Sequence, residues 1–292
     1  MSPKSIKTIL NNYLKMSQIK KRPATFYYEV SMSKYITECF MHLKISNIDD
    51  LSKIKWLDII HWFKTEKSNL KNSTINKILK FLSSILIYEY IDNPLGKLER
   101  LKDDTQGYDV ATYDTMKKVY SYIYNLDDSG NNLLYKLLIS LLRDTGCRRN
   151  ELLNLKFSNI QFDPNMIVLD ITKNGKKRVT SFSNTITKPL LEKVYEKHGH
   201  LSDYVLWNYI KDERCSVDTV DYCMDKIKRN AKVRKLSSHM IRKFFASDMY
   251  NKLDGDVLTV QKLLGHASPD QTKVYIKDSA DFLLKQYRKV IK

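Results

Sequence analysis

The chain has 292 residues, a length that suits about two domains, each with its own core. Fifty Lys and Arg residues face 33 Asp and Glu residues, so the net charge is +17. This excess favours a polyanionic partner such as nucleic acid, because Lys and Arg side chains near phosphates release condensed counterions. The sequence shows no membrane-spanning run, no signal peptide and no metal-ligand spacing among its four cysteines. We therefore expect a cytoplasmic protein with reduced thiols and no membrane association.

Residues 4–92 carry apolar side chains at three- and four-residue steps, which is the period of amphipathic helices. Four such faces predict four helices, enough for a small bundle. Their apolar positions are Ile6, Ile9, Leu10 and Tyr13; Tyr28, Met32, Tyr35, Ile36 and Phe40; Leu57, Ile60 and Phe63; and Ile75, Ile78, Leu79, Leu82 and Leu86. Pro94 and Gly96 end the fourth helix. We expect a helical domain over residues 1–96, followed by a polar linker at 97–107.

The pattern changes in the second predicted domain, residues 108–292. Helical periodicity covers 112–125, 131–143 and 148–155; short β-type runs follow at 157–162, 166–171 and 178–182; and helices continue from 184 to the end. The pair Asn174-Gly175 predicts a two-residue hairpin between the last two runs, because both residues tolerate positive φ. The sequence thus predicts a mainly α protein: an N-terminal helical bundle plus a mainly helical domain with a small antiparallel β-sheet.

Two segments of the second domain are suited to contacting phosphate. The first, TGCRRNE at 145–151, places Arg148 at the start of a helix, where its guanidinium adds to the free backbone N–H groups. The second, TKNGKKR at 172–178, forms the basic tip of the predicted hairpin and could reach a groove or a backbone. Taken singly, a surface Arg beside a helix turn and a polar, soluble hairpin tip explain these segments equally well.

Two further segments lie near the end of the chain. In HMIR at 239–242 the His and the Arg are three residues apart and share a helix face. In LLGH at 263–266 a Gly precedes His266, and Tyr275 follows nine positions later, about two turns into a helix that starts at Ser268-Pro269. Alone, these would be an ordinary core His and one of 19 tyrosines.

The four segments, in this order and with these gaps, resemble the catalytic segment of the tyrosine recombinases, the phage integrase, Xer and Cre family. Family members carry a pattern close to TGxRxxE, a hairpin Lys, HxLRH, LGH and a Tyr; this chain has TGCRRNE, TKNG, HMIRK, LLGH and VYIK. The resemblance covers roughly residues 108–280, and the preceding helical module fits the family's core-binding domain. Lys243 replaces a second His and Ile241 replaces a Leu, but neither position is catalytic in the family.

The resemblance implies a site-specific recombinase that cuts and rejoins DNA through a 3′-phosphotyrosyl intermediate and a Holliday junction. Tyr275 would be the nucleophile, and His239 would remove its proton. Arg148 and Arg242 would bind the non-bridging phosphate oxygens and offset the charge that builds up at phosphorus.

The remaining roles follow from the same resemblance. Lys173 would protonate the leaving 5′-oxygen, although Lys176 and Lys177 share its hairpin. His266 would hydrogen-bond the phosphate, and Glu151 would support the site. We expect no cofactor and no metal ion, because the guanidinium groups and the Lys serve the phosphate.

Double-stranded DNA is the expected partner, held between the two basic domains as in a clamp. We expect no module before residue 4, which would make the chain similar to the compact, Xer-like two-domain form without an arm-binding domain. The tail at 279–292 has an apolar helical stripe that includes Leu283, Leu284 and Tyr287. Such a tail docks either on its own domain or, as in this family, on a neighbouring subunit. We expect a monomer in free solution and a homotetramer on two paired sites.

Two other functions fit parts of the sequence. A type IB topoisomerase uses the same tyrosyl chemistry to relax supercoils, although the spacing from LGH to Tyr275 and the terminal helical tail favour a recombinase. A non-catalytic DNA-binding protein on the same scaffold would share the charge but form no covalent adduct with DNA.

Overall fold

The computed structural model describes residues 5–47, 50, 56–91, 100–102, 110–169 and 177–265. The chain divides into two compact units, Met1–Gln106 and Gly107–Lys292. Both are mainly helical, and the second contains a small antiparallel sheet, so the predicted fold class is confirmed. Within the described ranges, no helix combines the length and the apolar character needed to cross a membrane.

The first unit contains the four predicted helices. They are α1 (Ile6–Lys20), α2 (Pro23–His42), α3 (Trp56–Glu66) and α4 (Asn72–Tyr88). Their apolar faces form one core. Two predicted core positions are wrong, because Tyr28 and Leu57 are exposed. In α3 the buried face runs through Ile59, Trp62 and Phe63, and Leu57 lies two residues out of step with it.

Among the described residues of the second unit, seven helices pack around a core of their own. They are α5 (Tyr113–Tyr124), α6 (Asn132–Thr145), α7 (Arg149–Leu153), α8 (Thr187–His198), α9 (Val217–Asn230), α10 (Ser238–Lys252) and α11 (Val257–Leu264). Helix α6 is central: almost every side chain from Leu133 to Leu142 is buried, and the helix packs against both α8 and α10. Since α6 leads directly into the TGCRRNE segment, that segment starts from the best-packed part of the domain.

Each of the three predicted β-runs contains a strand, although Phe157–Asn159 at the start of the first run forms a 3-10 helix, and the strands pair antiparallel in chain order. The strands are β1 (Ile160–Phe162), β2 (Asn165–Leu169) and β3 (Arg178–Ser181). Ile167 pairs with Thr180, and Leu169 pairs with Arg178. The hairpin tip between β2 and β3, with Asn174-Gly175, lies outside the described residues.

One element of the second unit was not predicted from the sequence. Strands β4 (Trp207–Asn208) and β5 (Glu213–Arg214) form a short hairpin in a region predicted to be helical. The ring of Trp207 stacks on buried His198 at 5.6 Å, and His198 also contacts the hydroxyl of Tyr209 at 2.9 Å. Long-range aromatic packing therefore supports this hairpin.

Cys39, Cys147, Cys215 and Cys223 are buried free thiols. Burial raises the pKa of Cys39, Cys215 and Cys223 to about 12, so these thiols are unreactive at neutral pH. The predicted helix at Ser268-Pro269 and the tail at 279–292 lie outside the described residues.

Candidate active site

The site begins where α6 ends. Gly146 follows the helix with φ of 55°, a left-handed conformation that favours Gly. A Cβ atom at this position would collide with the ring of Phe245 on α10. The close approach of backbone and ring lets the chain turn sharply between α6 and α7, and it brings Arg148 to the residue just before α7.

Arg148 and Glu151 are joined at the start of α7. The backbone N–H of Arg148 donates to Glu151 Oε2 at 2.9 Å, and its Nη1 donates to Oε1 of the same carboxylate at 2.8 Å. Glu151 is 4% exposed, whereas the Arg148 side chain keeps about a quarter of its surface open. The predicted helix start is confirmed, and the carboxylate fixes the guanidinium there.

Arg178, at the start of β3, is part of this cluster. The sequence placed it in a basic hairpin tip that could reach a groove or a backbone, or simply be polar and soluble, but the residue is only 7% exposed. Its Nη2 donates to Glu151 Oε2 at 2.8 Å, and its Nη1 donates to the carbonyl of Leu263. For Arg178 the hairpin-tip interpretation is therefore wrong, because its guanidinium completes an internal ion pair.

Arg242, on α10, lies deepest in the site at 1% exposed. Its Nη1 donates to the carbonyl of Gly146, and its Nη2 donates to the carbonyl of Leu264 at 2.7 Å. Nη1 is also 3.9 Å from Glu151 Oε2. One side chain thus links the turn before Arg148 to the last residue of α11.

Three guanidinium groups therefore surround a single carboxylate. Burial alone would raise the pKa of Glu151, but the charge of Arg178 and the hydrogen bonds from Arg178 and Arg148 outweigh it and lower that pKa. Burial, followed by repulsion from Arg148 and Arg178, lowers the pKa of Arg242, which Glu151 partly opposes. The cluster holds a fixed excess of positive charge, suited to an anionic group.

His239 stands at the edge of this cluster, on the first turn of α10. Ser237 caps the helix by accepting a hydrogen bond from the backbone N–H of Met240 at 3.2 Å. Partial burial, then the positive charges of Lys243, Arg242 and Arg148, lower the pKa of His239 below its ordinary value of 6.5. The imidazole is consequently neutral at pH 7 and able to accept a proton.

The structure thus brings Arg148, Glu151 and Arg242 together, with His239 beside them. Lys173, His266 and Tyr275 lie outside the described residues, as does Lys176. The chain is described up to the residue before His266: α11 ends at Leu264, and Gly265 follows in a left-handed conformation with φ of 63°.

Sequence reasoning missed two buried cations of the site. Arg178 shares one face of β3 with buried Thr180, while Val179 between them is exposed, and the local sequence carried no signal of this orientation. Lys243 is 6% exposed and follows Arg242 directly on α10. For Lys243 the sequence did carry a signal, because a Lys stands where the HxLRH pattern has its second His.

In chemical terms, the partly exposed guanidinium of Arg148, with the charge of Arg242 behind it, can bind a phosphodiester, and the neutral imidazole beside it can accept a proton from an attacking group. In the part of the chain that the structure describes, no group of three or more His, Cys, Asp or Glu side chains is placed to hold a metal ion. The fold and the site together are those of a protein suited to binding a phosphodiester.

Comparison with known proteins agrees with this class. The model of the phage integrase family matches residues 112–281. The chain is 26% identical over 286 residues to a probable integrase/recombinase of Acholeplasma phage L2, covering 98% of this chain and 97% of that one. It is 28% identical over 215 residues to tyrosine recombinase XerA of Pyrococcus horikoshii, covering 73% and 72%.

A solved structure of a lambda integrase tetramer bound to a Holliday junction has the same fold. The TM-score is 0.75 at 17% identity, over 95% of this chain and 78% of that one. The chain belongs to the phage integrase family. It is a tyrosine recombinase, an enzyme of site-specific DNA recombination, and the topoisomerase alternative is not favoured.

Proposed function

We propose that the enzyme breaks DNA by attack of Tyr275 Oη on the scissile phosphate. A bond forms between Oη and phosphorus, the bond from phosphorus to the 5′-oxygen breaks, and the DNA 3′-end stays attached to the Tyr. The reverse attack by a 5′-hydroxyl of a partner strand rejoins the DNA. Since the phosphotyrosyl bond conserves the phosphodiester energy, this cycle needs no nucleotide cofactor.

The cationic cluster carries this proposal. Arg148 is fixed by Glu151 yet partly open to solvent, so its guanidinium can contact a non-bridging phosphate oxygen. Arg242 adds a second guanidinium behind it. Charge that develops on the phosphoryl oxygens is stabilised most by donors that are already in position, because no reorganisation is needed during the reaction.

His239 is the proposed proton acceptor for Tyr275. The hydroxyl of Tyr has an ordinary pKa of about 10, so a neighbouring base must assist its deprotonation. An imidazole whose pKa is lowered by burial and by three nearby cations is unprotonated at neutral pH and ready for this step. His266, which follows Gly265 directly, is proposed to hydrogen-bond the phosphate.

Covalent trapping on DNA tests the proposed function. The purified enzyme is incubated with fragments of its source genome, the reaction is stopped with denaturant, and the DNA ends bonded to protein are sequenced. We expect adducts at one short, partly palindromic sequence, with the protein on the 3′-phosphate. A protein that forms no adduct, or that relaxes supercoiled DNA processively without site preference, would contradict the proposal.

Lys173 is the proposed general acid, and its role predicts a chemical rescue. Lys173→Ala should slow cleavage of ordinary DNA by about 100-fold, since a positioned acid typically contributes that much or more. A substrate whose leaving group is a 5′-thiol needs little protonation, so the variant should cleave it at nearly the wild-type rate. Single-turnover rates on both substrates measure this.

Matched variants Lys176→Ala and Lys177→Ala complete the test of the hairpin. Rescue by the 5′-thiol should be confined to Lys173→Ala. Equal impairment of that variant on both substrates would assign Lys173 to DNA binding, and rescue of either matched variant would assign the acid to that residue.

For assembly, we propose a monomer in free solution and a tetramer on two paired sites. The solved lambda integrase tetramer on a Holliday junction supports this arrangement. The apolar stripe of residues 279–292 suits a helical tail that docks on a neighbouring subunit and closes a ring of four. Cleavage would then occur in one pair of subunits at a time.

Deletion of residues 280–292 tests the role of the tail. The truncated protein should remain a folded monomer that binds one half-site, because both described cores lie upstream of the deletion. Complexes on two sites should fail to reach four subunits, as measured by light scattering. A truncated protein that still assembles tetramers on paired sites would disprove the exchange of tails.

A further inference from the structure

Arg178 is a buried side chain that contacts several segments around the proposed active site. Its guanidinium donates to Glu151 Oε2 at 2.8 Å and to the carbonyls of Leu263 and, at 3.4 Å, Thr145. Arg178 itself begins β3, the strand that follows Lys173 in the sequence. One buried group therefore joins β3, the end of α6, helix α7 and the end of α11.

Each of these segments leads to a residue with a proposed role in the reaction. Thr145 precedes the turn into Arg148, Glu151 holds the Arg148 guanidinium, and Leu263 lies three residues before His266. Arg178 lies five residues after Lys173. Displacement of the Arg178 guanidinium would remove a contact from each of these segments at the same time.

The stem of Arg178 also fits tightly against the chain just before His266. A Cβ atom on Gly265 would lie 2.7 Å from Arg178 Cδ, closer than such atoms pack. A residue larger than Gly is therefore excluded at position 265 both by the Arg178 stem and by the left-handed backbone conformation. The path of the chain at Gly265 depends on where the Arg178 stem lies.

The charge of Arg178 is directed inwards. The side chain is 7% exposed, and both terminal nitrogens are used in contacts with protein atoms. Its Nε is buried with no hydrogen-bond partner among the described residues. A buried guanidinium that keeps one nitrogen unsatisfied costs stability. We therefore attribute its role to the placement of the segments that it contacts.

We propose that Arg178 is a positioning residue for strand cleavage. It orients Arg148 through Glu151, and it orients the chain that leads to His266 through the carbonyl of Leu263. It does not contact the DNA. The inference rests on the proposed function, because its effect is measured on the same cleavage step.

The test uses Arg178→Lys, which keeps the charge but lacks the planar fork that reaches a carboxylate and a carbonyl together. Supporting partners of metal ligands change activity by about 10- to 100-fold when removed, and we expect a comparable fall in the single-turnover cleavage rate. Half-site affinity should stay within about twofold of the wild type, since Arg178 is buried. Arg178→Gln, which loses the charge, should cleave more slowly still.

The matched control is Arg214→Lys. Arg214 Nη2 donates to the carbonyl of Leu153 at 2.7 Å, at the far end of α7, and contacts neither Glu151 nor α11. Its cleavage rate should equal that of the wild type. All rates are corrected for the folded fraction, measured by circular dichroism at the assay temperature.

A double variant separates positioning from a general role in stability. Glu151→Gln and Arg178→Lys act on one chain of contacts, so their combined loss of rate should be smaller than the product of the two single losses. A multiplicative loss, full activity of Arg178→Lys, a parallel loss of DNA affinity, or unfolding of both Arg178 variants would overturn the proposal. Absence of adduct with the wild type would instead refute the proposed function.

Discussion

Tyr275→Phe should abolish covalent trapping of DNA while leaving half-site affinity within about twofold of the wild type. The substitution removes only the attacking Oη and keeps the ring, so packing and binding should change little. No other group is proposed to form the bond to phosphorus, and a positioned base cannot activate a hydroxyl that is absent. A substrate nicked beside the cleavage site, run on a denaturing gel, measures the adduct.

Tyr222→Phe is the matched control for this experiment. Tyr222 is an exposed residue on α9 of the same unit, so the change alters the surface and not the site. Its adduct yield should equal that of the wild type. If Tyr275→Phe still traps DNA, peptide mapping of the adduct would identify another tyrosine as the nucleophile.

The helices were largely predictable because each carries a local, repeated signal. The period of the apolar residues identified α1 to α4, and the Thr145-Gly146 step marked the end of α6. The predictions failed where an element is too short to show a period, or where an apolar residue is out of step with the buried face. Strands β4 and β5 have two residues each, which is too few to show an alternation.

The inward face of β3 could not be predicted from hydrophobicity. A strand reading Arg-Val-Thr-Ser suggests that Val179 faces the core, yet Val179 is 52% exposed while Arg178 and Thr180 are buried. The cause is a carboxylate 27 positions earlier in the chain, Glu151, which outweighs the burial of one Val side chain. Local pattern contains no information about such a partner.

The same limit applied to the candidate site. The contact of Arg148 with Glu151 spans three residues at a helix start, a spacing that can be recognised in a sequence. Arg242 donates to the carbonyl of Gly146, 96 positions away, and to that of Leu264, 22 positions away. The order of the motifs identified the residues, but only the fold shows that Arg242 connects the motifs to one another.

Arg242→Lys should lower the single-turnover cleavage rate by roughly 1,000-fold, in the range seen when an arginine that stabilises phosphoryl charge is lost. Lys keeps the charge, but it lacks the planar fork whose two separate nitrogens reach the carbonyls of Gly146 and Leu264. Leaving one buried carbonyl unsatisfied should lower the free energy of unfolding by about 1–3 kcal/mol. Denaturant titration measures this loss.

Arg242→Gln separates the charge of this residue from its geometry. Loss of the charge relieves the repulsion from Arg148 and Arg178, so this variant should be no less stable than Arg242→Lys. It should nevertheless cleave at least as slowly, because one cation is missing from the phosphate site. Arg229→Gln, at an exposed position on α9, is the control and should match the wild type in both measurements. A Gln variant that cleaves faster than the Lys variant would show that Arg242 organises the backbone and does not stabilise the reacting phosphate.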